Sequence, residues 1–307
     1  VKPNQLGTQV YDNYPLEDIR DYIDWGPFFI AWQMKGKFPD VLEDDKYGEE
    51  ATKLYNDANQ LLDKIIDQKL LKARAVLGLY PANSVGDDVE LYTDDNRDEV
   101  LTTFHMLRQQ SQKRRGQPNK ALSDFVAPKS SGINDYMGGF AVTCGIGAPE
   151  LVKQFEDDHD DYNAILTKAL ADRLAEAFTE LLHEKVRQDI WGYATDEELT
   201  NKELIKEQYD GIRPAPGYPA QPDHTEKRIL FDLLDVEDTT GITLTESFAM
   251  HPAASVSGLY FAHPNSDYFN VGNFGKDQIK DYAQRKDMNV SDVERWLGPN
   301  LNYDPEE

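Results

Sequence analysis

The stretch Gly211-Ile212-Arg213-Pro214-Ala215-Pro216-Gly217-Tyr218-Pro219 divides the chain, with long helical periodicities before it and short aromatic-rich segments after it. Its three prolines fix φ and remove backbone donors, which excludes helix interior and central strand and predicts an ordered loop. Arg213 heads that loop, and its planar guanidinium suits a carboxylate or phosphate held by paired hydrogen bonds. Gly217 admits close approach to the backbone, and Tyr218 offers a flat face with a polar tip. The ordinary reading of such a segment is a rigid connector whose arginine pairs with a neighbouring Asp.

Before the loop, Leu16, Ile19 and Ile23 predict a helix over 16–23, stopped by Gly26-Pro27 just past Asp24-Trp25. Asp24 then stands near a helix end beside Trp25 and Phe28, where an unpaired carboxylate is costly and a cationic partner is expected. Ala51, Leu54, Ala58, Leu61, Leu62, Ile65 and Ile66 form one stripe of a long amphipathic helix over 45–69. A buried strand is predicted over 75–80, and a hairpin joins 88–93 to 99–107 through Asp94-Asp95-Asn96. Strand character resumes over 122–126 and 136–143, where Gly138-Gly139 marks a bulge or a close-packing point.

The longest helical region spans 148–191, with Tyr162, Ile165, Leu166, Leu170, Leu174, Phe178, Leu181 and Val186 among its core positions. Asp172, Glu176, Glu180 and His183 fall on the opposite side and read as surface. Thr195-x-x-Glu198 and Thr200-x-x-Glu203 are capping-box patterns opening a helix that ends near Tyr209. After the loop come a helix over 225–234 and strands over 244–250, 255–261 and 268–271. A helix over 275–285 follows, and a last one is capped by Ser291-x-x-Glu294. Blocks of strands and long helices without regular βαβ units predict an α+β fold, a mainly antiparallel twisted sheet flanked by long helices.

Composition narrows the function. The 307 residues, 39% of them hydrophobic, can bury a sizeable core. No apolar run approaches the roughly 20 residues of a membrane span, and Val1-Lys2-Pro3-Asn4-Gln5 lacks a signal-peptide core. The missing initial Met reads as a fragment or as a trimmed chain. A net charge of −24 argues against nucleic acid and would suit a cationic ligand, although solubility accounts for most of such charge. Arg108, Lys113, Arg114, Arg115 and Lys120 form one concentrated basic loop, either solvated or suited to an acidic partner. The single Cys144 excludes a disulfide framework, fits a reducing cytoplasm and rules out a three-cysteine iron–sulfur signature. Gly145-Ile146-Gly147 lacks the third glycine and the downstream acid of a dinucleotide loop. The run Glu156-Asp157-Asp158-His159-Asp160-Asp161 invites a metal reading, but successive helical positions point in all directions, so a solvated face is expected and no metal site.

Arg213, Gly217 and Tyr218 fall as an R-x-x-x-G-Y pattern that resembles the S-adenosylmethionine-binding activation domain of cobalamin-dependent methionine synthase. The resemblance extends, in the family's order, to Asp21-Tyr22-Ile23-Asp24-Trp25, Gly78-Leu79-Tyr80-Pro81-Ala82-Asn83, Asp124-Phe125-Val126-Ala127-Pro128-Lys129, Leu244-Thr245-Glu246-Ser247-Phe248-Ala249-Met250 and Val293-Glu294-Arg295-Trp296-Leu297. It covers nearly the whole chain and implies one activation domain over 1–307. It implies that Arg213 takes the carboxylate of S-adenosylmethionine, that Asp24 takes its ammonium, and that the backbone at Ala215 and Gly217 follows the ligand. Tyr218 then faces the corrin, and Tyr268 and Phe269 match an aromatic pair near the nucleoside, Phe269 lacking the family's usual hydroxyl. Glu176 and Glu207 match acidic positions near the site.

The same resemblance implies reactivation within methionine biosynthesis. Cobalamin oxidised to Co(II) in a neighbouring domain is reduced by an electron from flavodoxin or a similar flavoprotein, and irreversible methyl transfer from S-adenosylmethionine pulls that uphill step forward. Cobalamin and zinc belong to other domains of a 5-methyltetrahydrofolate–homocysteine S-methyltransferase. Displacement at a sulfonium methyl needs positioning rather than an acid or base, so no catalytic residue is expected, nor turnover by the isolated domain. Two alternatives stand beside it: a metal-dependent hydrolase using the His159 run, and an interaction module that has lost its ligand.

Overall fold

A computed structural model describes residues 1–305. Its strands are β1 (Gly7–Tyr14), β2 (Lys72–Val85), β3 (Asp88–Tyr92), β4 (Val100–His105), β5 (Asp135–Ile146), β6 (Thr243–Leu244), β7 (Met250–His251) and β8 (Ser255–Tyr260). The helices are α1 (Leu16–Arg20), α2 (Gly26–Ala31), α3 (Gly48–Asp67), α4 (Ala148–Asp157), α5 (Asp161–Lys185), α6 (Asn201–Leu204), α7 (Glu226–Leu234), α8 (Val236–Thr240), α9 (Lys276–Arg285) and α10 (Val290–Trp296). Six strands form one antiparallel sheet in the order β4-β3-β2-β5-β8, with β1 also on β2, while β6 and β7 make a separate small hairpin.

The central strand β2 explains the architecture. One edge pairs with β5 along most of its length, and the other is shared, β1 taking its first half and β3 its second. Both faces of β2 are buried, which is why its sequence runs apolar without alternation. Ala73, Ala75, Leu77 and Leu79 face a core built with α1 to α5, and Val76, Tyr80 and Ala82 face a second core covered by α7 and α8. Gly139 lets α7 close on the sheet, since a Cβ there would lie 2.5 Å from Leu230 Cδ1. A third cluster, with Phe274, Ile279, Tyr282 and Val293, fastens α9 and α10.

The α+β antiparallel architecture agrees with the sequence reading, as do α3, β2, β5, β8, α7, α9 and the β3–β4 hairpin. Several local expectations are corrected. Gly26-Pro27 begins α2 rather than ending α1, since proline is tolerated in a first helical turn. Residues Leu122–Phe125 form a 3-10 turn, not a strand, and 268–271 are irregular. Tyr162 and Ile165 are exposed. Asn289, not Ser291, precedes α10. Of the two capping boxes Thr200 with Glu203 forms, but α6 ends at Leu204. Of the basic loop, Arg108 is tied to Asp87 and Asp124, and Lys120 to Asp267.

Candidate functional site

The proline-rich loop lies against β8. Ile212 and Phe261 exchange backbone hydrogen bonds, and Leu259 N–H donates to Pro214 carbonyl. Gly217 adopts φ +94°, and a Cβ there would run into the ring of His224, so the turn needs glycine. Tyr218 remains 64% exposed at the mouth of a cleft of about 880 Å³.

That cleft is lined by Arg213, Ala215, Gly217, Tyr218, Tyr268, Phe269, Glu176 and Glu207, together with Phe140, Thr179, His224 and Lys227. An adjoining hollow of about 350 Å³ is lined by Asp24, Tyr22, Arg173 and Glu180 and shares Glu176, Glu207 and Arg213 with the cleft. All nine residues singled out from the sequence therefore border two hollows with common walls. Asp24 lacks the cationic partner expected for it among the described residues; its Oδ1 accepts from Gly26 N–H at 2.9 Å, a local bond just before α2.

Arg213 is held from several sides. Its Nη2 donates to Glu180 at 2.7 Å, and its Nη1 donates to Tyr209 hydroxyl at 2.6 Å and to His183 Nδ1 at 3.0 Å. Its backbone N–H donates to Tyr268 hydroxyl at 3.0 Å. Burial opposes the Arg213 charge most strongly, but Glu180, Tyr209 and Tyr268 together more than offset it, so the guanidinium stays protonated. Burial pushes the Glu180 carboxyl up against the pull of Arg213. The pair nonetheless has the geometry of an ionised bridge, and arginine cannot surrender its proton. His183 is pushed well below the usual imidazole range by burial and then by the Arg213 and Arg187 cations.

Glu180 and His183 are the main correction at the site. Both read as surface residues of a polar stripe, yet they are 7% and 0% exposed. Every residue from Ala177 to His183 is buried, so this end of α5 is covered all round. Periodicity carried no signal of it, because the covering residues Tyr209 and Arg213 lie far along the chain. Asp172 and Glu176 are exposed, as expected.

The acidic run bends between helices instead of forming one helix face. His159 takes φ +58°, and Asp160 caps α5 through Asn163. Among the described residues no group of three or more His, Cys, Asp or Glu side chains is placed to hold a metal ion. The hydrolase alternative therefore has no geometry to support it.

Comparison with known proteins shows the family. The family described as vitamin B12 dependent methionine synthase, activation domain, matches residues 15–287. A crystal structure of the MetH reactivation domain bound to AdoHcy is 56% identical, superposes with a TM-score of 0.97, and is matched over 99% of this chain and 93% of that one.

Proposed function

Because the chain belongs to the family of vitamin B12-dependent methionine synthase activation domains, we propose that it binds S-adenosylmethionine and supports reductive methylation of cob(II)alamin. AdoHcy, bound by the similar reactivation domain, is what S-adenosylmethionine becomes on losing its methyl group. The observation that carries the reading is that Arg213 and Asp24 border adjoining hollows with shared walls, a cation and an anion for the two ends of one methionyl group.

In this reading the Arg213 guanidinium takes the ligand carboxylate and Asp24 takes the ammonium. The backbone of Ala215 and Gly217 follows the ligand, and Tyr268 and Phe269 flank the nucleoside. Arg213 is already neutralised by Glu180, and Asp24, Glu176 and Glu207 outnumber Lys227 and Arg173, which leaves the walls net negative. Such a lining favours a ligand carrying both an ammonium and a sulfonium. Tyr218, exposed at the mouth, faces the side from which the corrin approaches.

Cobalamin, held by its own domain, supplies the methyl acceptor once reduced by one electron, and the sulfonium sulfur leaves as a neutral thioether. This chain contributes position and alignment, and the displacement asks no acid or base of the cleft. Its partners are then the cobalamin-binding domain and a flavoprotein electron donor such as flavodoxin, with methionine synthase activity residing in the assembled enzyme. Among the described residues no helix is long and apolar enough to cross a membrane. Cys144, the single cysteine, is free and buried, in keeping with a reducing cytoplasm.

Titration calorimetry with S-adenosylmethionine tests the reading. Arg213→Ala and Asp24→Asn are each expected to weaken binding by about tenfold or more, the scale of a charge-assisted hydrogen bond. Absence of binding at millimolar ligand, or affinity unchanged in both variants, overturns it.

A further inference from the structure

Three of the five guanidinium donors of Arg213 are taken by Glu180, His183 and Tyr209, leaving Nε–H and one Nη2 proton without a protein acceptor among the described residues. Arginine can donate but not accept, so His183 Nδ1 must be the acceptor and its proton lies on Nε2. The imidazole cannot turn away. It stacks on Tyr260 with ring centroids 5.3 Å apart and meets Tyr209 edge-on at 5.0 Å.

Behind this first contact lies a second. Glu180 Oε1 is 3.9 Å from Arg187, which is fully buried and bonded to Glu197 through Nε and Nη2. Arg187 also packs 3.9 Å from the Tyr209 ring centre. It comes from the π-helical turn Val186–Ile190, which follows α5. The extra residue of a π turn changes the helical phase, a distortion that recurs at functional sites. Charges therefore alternate inward from the cleft: Arg213, Glu180, Arg187, Glu197.

We infer that Glu180, His183 and Tyr209 are positioning residues that fix the plane of Arg213 so that its two remaining donors meet the ligand carboxylate. Glu180 supplies the charge that holds the guanidinium, and Arg187 anchors Glu180 from behind. His183 and Tyr209 stop rotation about the outer torsions. The inference rests on the carboxylate reading of Arg213 above, and it deepens that reading by assigning carboxylate recognition to an array rather than to one side chain.

The test uses the whole chain and two ligands, S-adenosylmethionine and its decarboxylated analogue, in titration calorimetry. The unaltered protein is expected to prefer the carboxylated ligand by about tenfold or more. Glu180→Gln, which keeps volume and removes charge, and Tyr209→Phe, which keeps the ring and removes the acceptor, are each expected to cut S-adenosylmethionine affinity by about tenfold. In Tyr209→Phe, which leaves the charge of the walls unchanged, affinity for the analogue is expected to stay within about twofold, because a positioning defect acts through the carboxylate alone. Equal weakening of both ligands would reduce the three residues to scaffold and overturn the inference, as would an undiminished preference in both variants. Should Glu180→Gln fail to fold, Tyr209→Phe decides alone. No preference in the unaltered protein would instead sink the carboxylate reading, and the array with it.

Discussion

Two buried ionic clusters stand on opposite faces of the same sheet, and they are built differently. On the α7–α9 side, Lys286 bridges Asp223 and Glu226, and it also donates to Thr225. Tyr282 hydroxyl donates to Asp223 at 2.8 Å, and His105 N–H donates to Glu226 at 2.9 Å. Among the described residues, every buried polar side-chain atom of Lys286, Asp223, Thr225, Glu226 and Tyr282 has a partner, and His105 Nδ1 lies 3.2 Å from Asp88. On the α5 side, Glu180 Oε1, His183 Nε2, Arg187 Nη1 and Tyr260 hydroxyl have no hydrogen-bond partner among the described residues, and Arg213 opens onto the cleft. A closed, saturated network holds elements together; one with spare capacity beside a hollow is arranged for something that arrives. Buried charge alone does not distinguish a fastening from a site, but its degree of satisfaction does.

The sharpest way to break this contrast is Lys286→Met, which leaves Asp223 and Glu226 facing each other without their cation. Denaturant unfolding should show a loss of about 3–5 kcal/mol, the cost of orphaning buried charge, with S-adenosylmethionine affinity unchanged in the fraction that folds. A large change in affinity would mean that the two clusters are one functional unit. Gly217→Ala probes where they touch, since the His224 ring that blocks a Cβ there follows Asp223 directly in sequence. Left-handed strain alone should cost about 1–2 kcal/mol in thermal unfolding, with weaker ligand binding in parallel. An unchanged melting temperature would show that the loop yields without disturbing its support.

The mildest test concerns protons. His183 is held well below its usual value of 6.5, first by burial and then by Arg213 and Arg187. A group depressed in the folded state contributes stability above the unfolded pKa and loses it as pH falls toward the folded one. Below pH 6.5 the protein should lose up to about 1.4 kcal/mol per pH unit through this residue. His183→Phe, which keeps a ring against Tyr260, should flatten that slope in denaturant titrations from neutral pH downward. An identical slope in both proteins would show that His183 is protonated in the fold.

Much of the scaffold was legible because it depends on local period. The stripe from Ala51 to Ile65 is buried on α3 as read, and β2 and β5 are buried strands as their apolar runs imply. The nine site residues came from the motif resemblance, and their shared hollows are a tertiary fact. Glu180 and His183 were misread because periodicity identifies the side of α5 that meets the sheet but not what covers the other side. That cover comes from the loop carrying Tyr209 and Arg213, some thirty residues downstream. The 3-10 turn at Leu122–Phe125 was misread for a related reason: its bend is set by Asp124, which accepts from Ala121 N–H and pairs with Arg108.

The proline-rich loop has a kinetic consequence. Pro214, Pro216 and Pro219 have little torsional freedom to lose, and the segment is pinned by Phe261, by Leu259 and by the Val271 N–H that donates to Pro219 carbonyl. A wall prepared in this way does not wait on its own rearrangement when a molecule arrives. Entry should therefore follow diffusion through the opening beside Tyr218, and the lifetime of the bound state should carry nearly all differences in affinity among ligands of this shape.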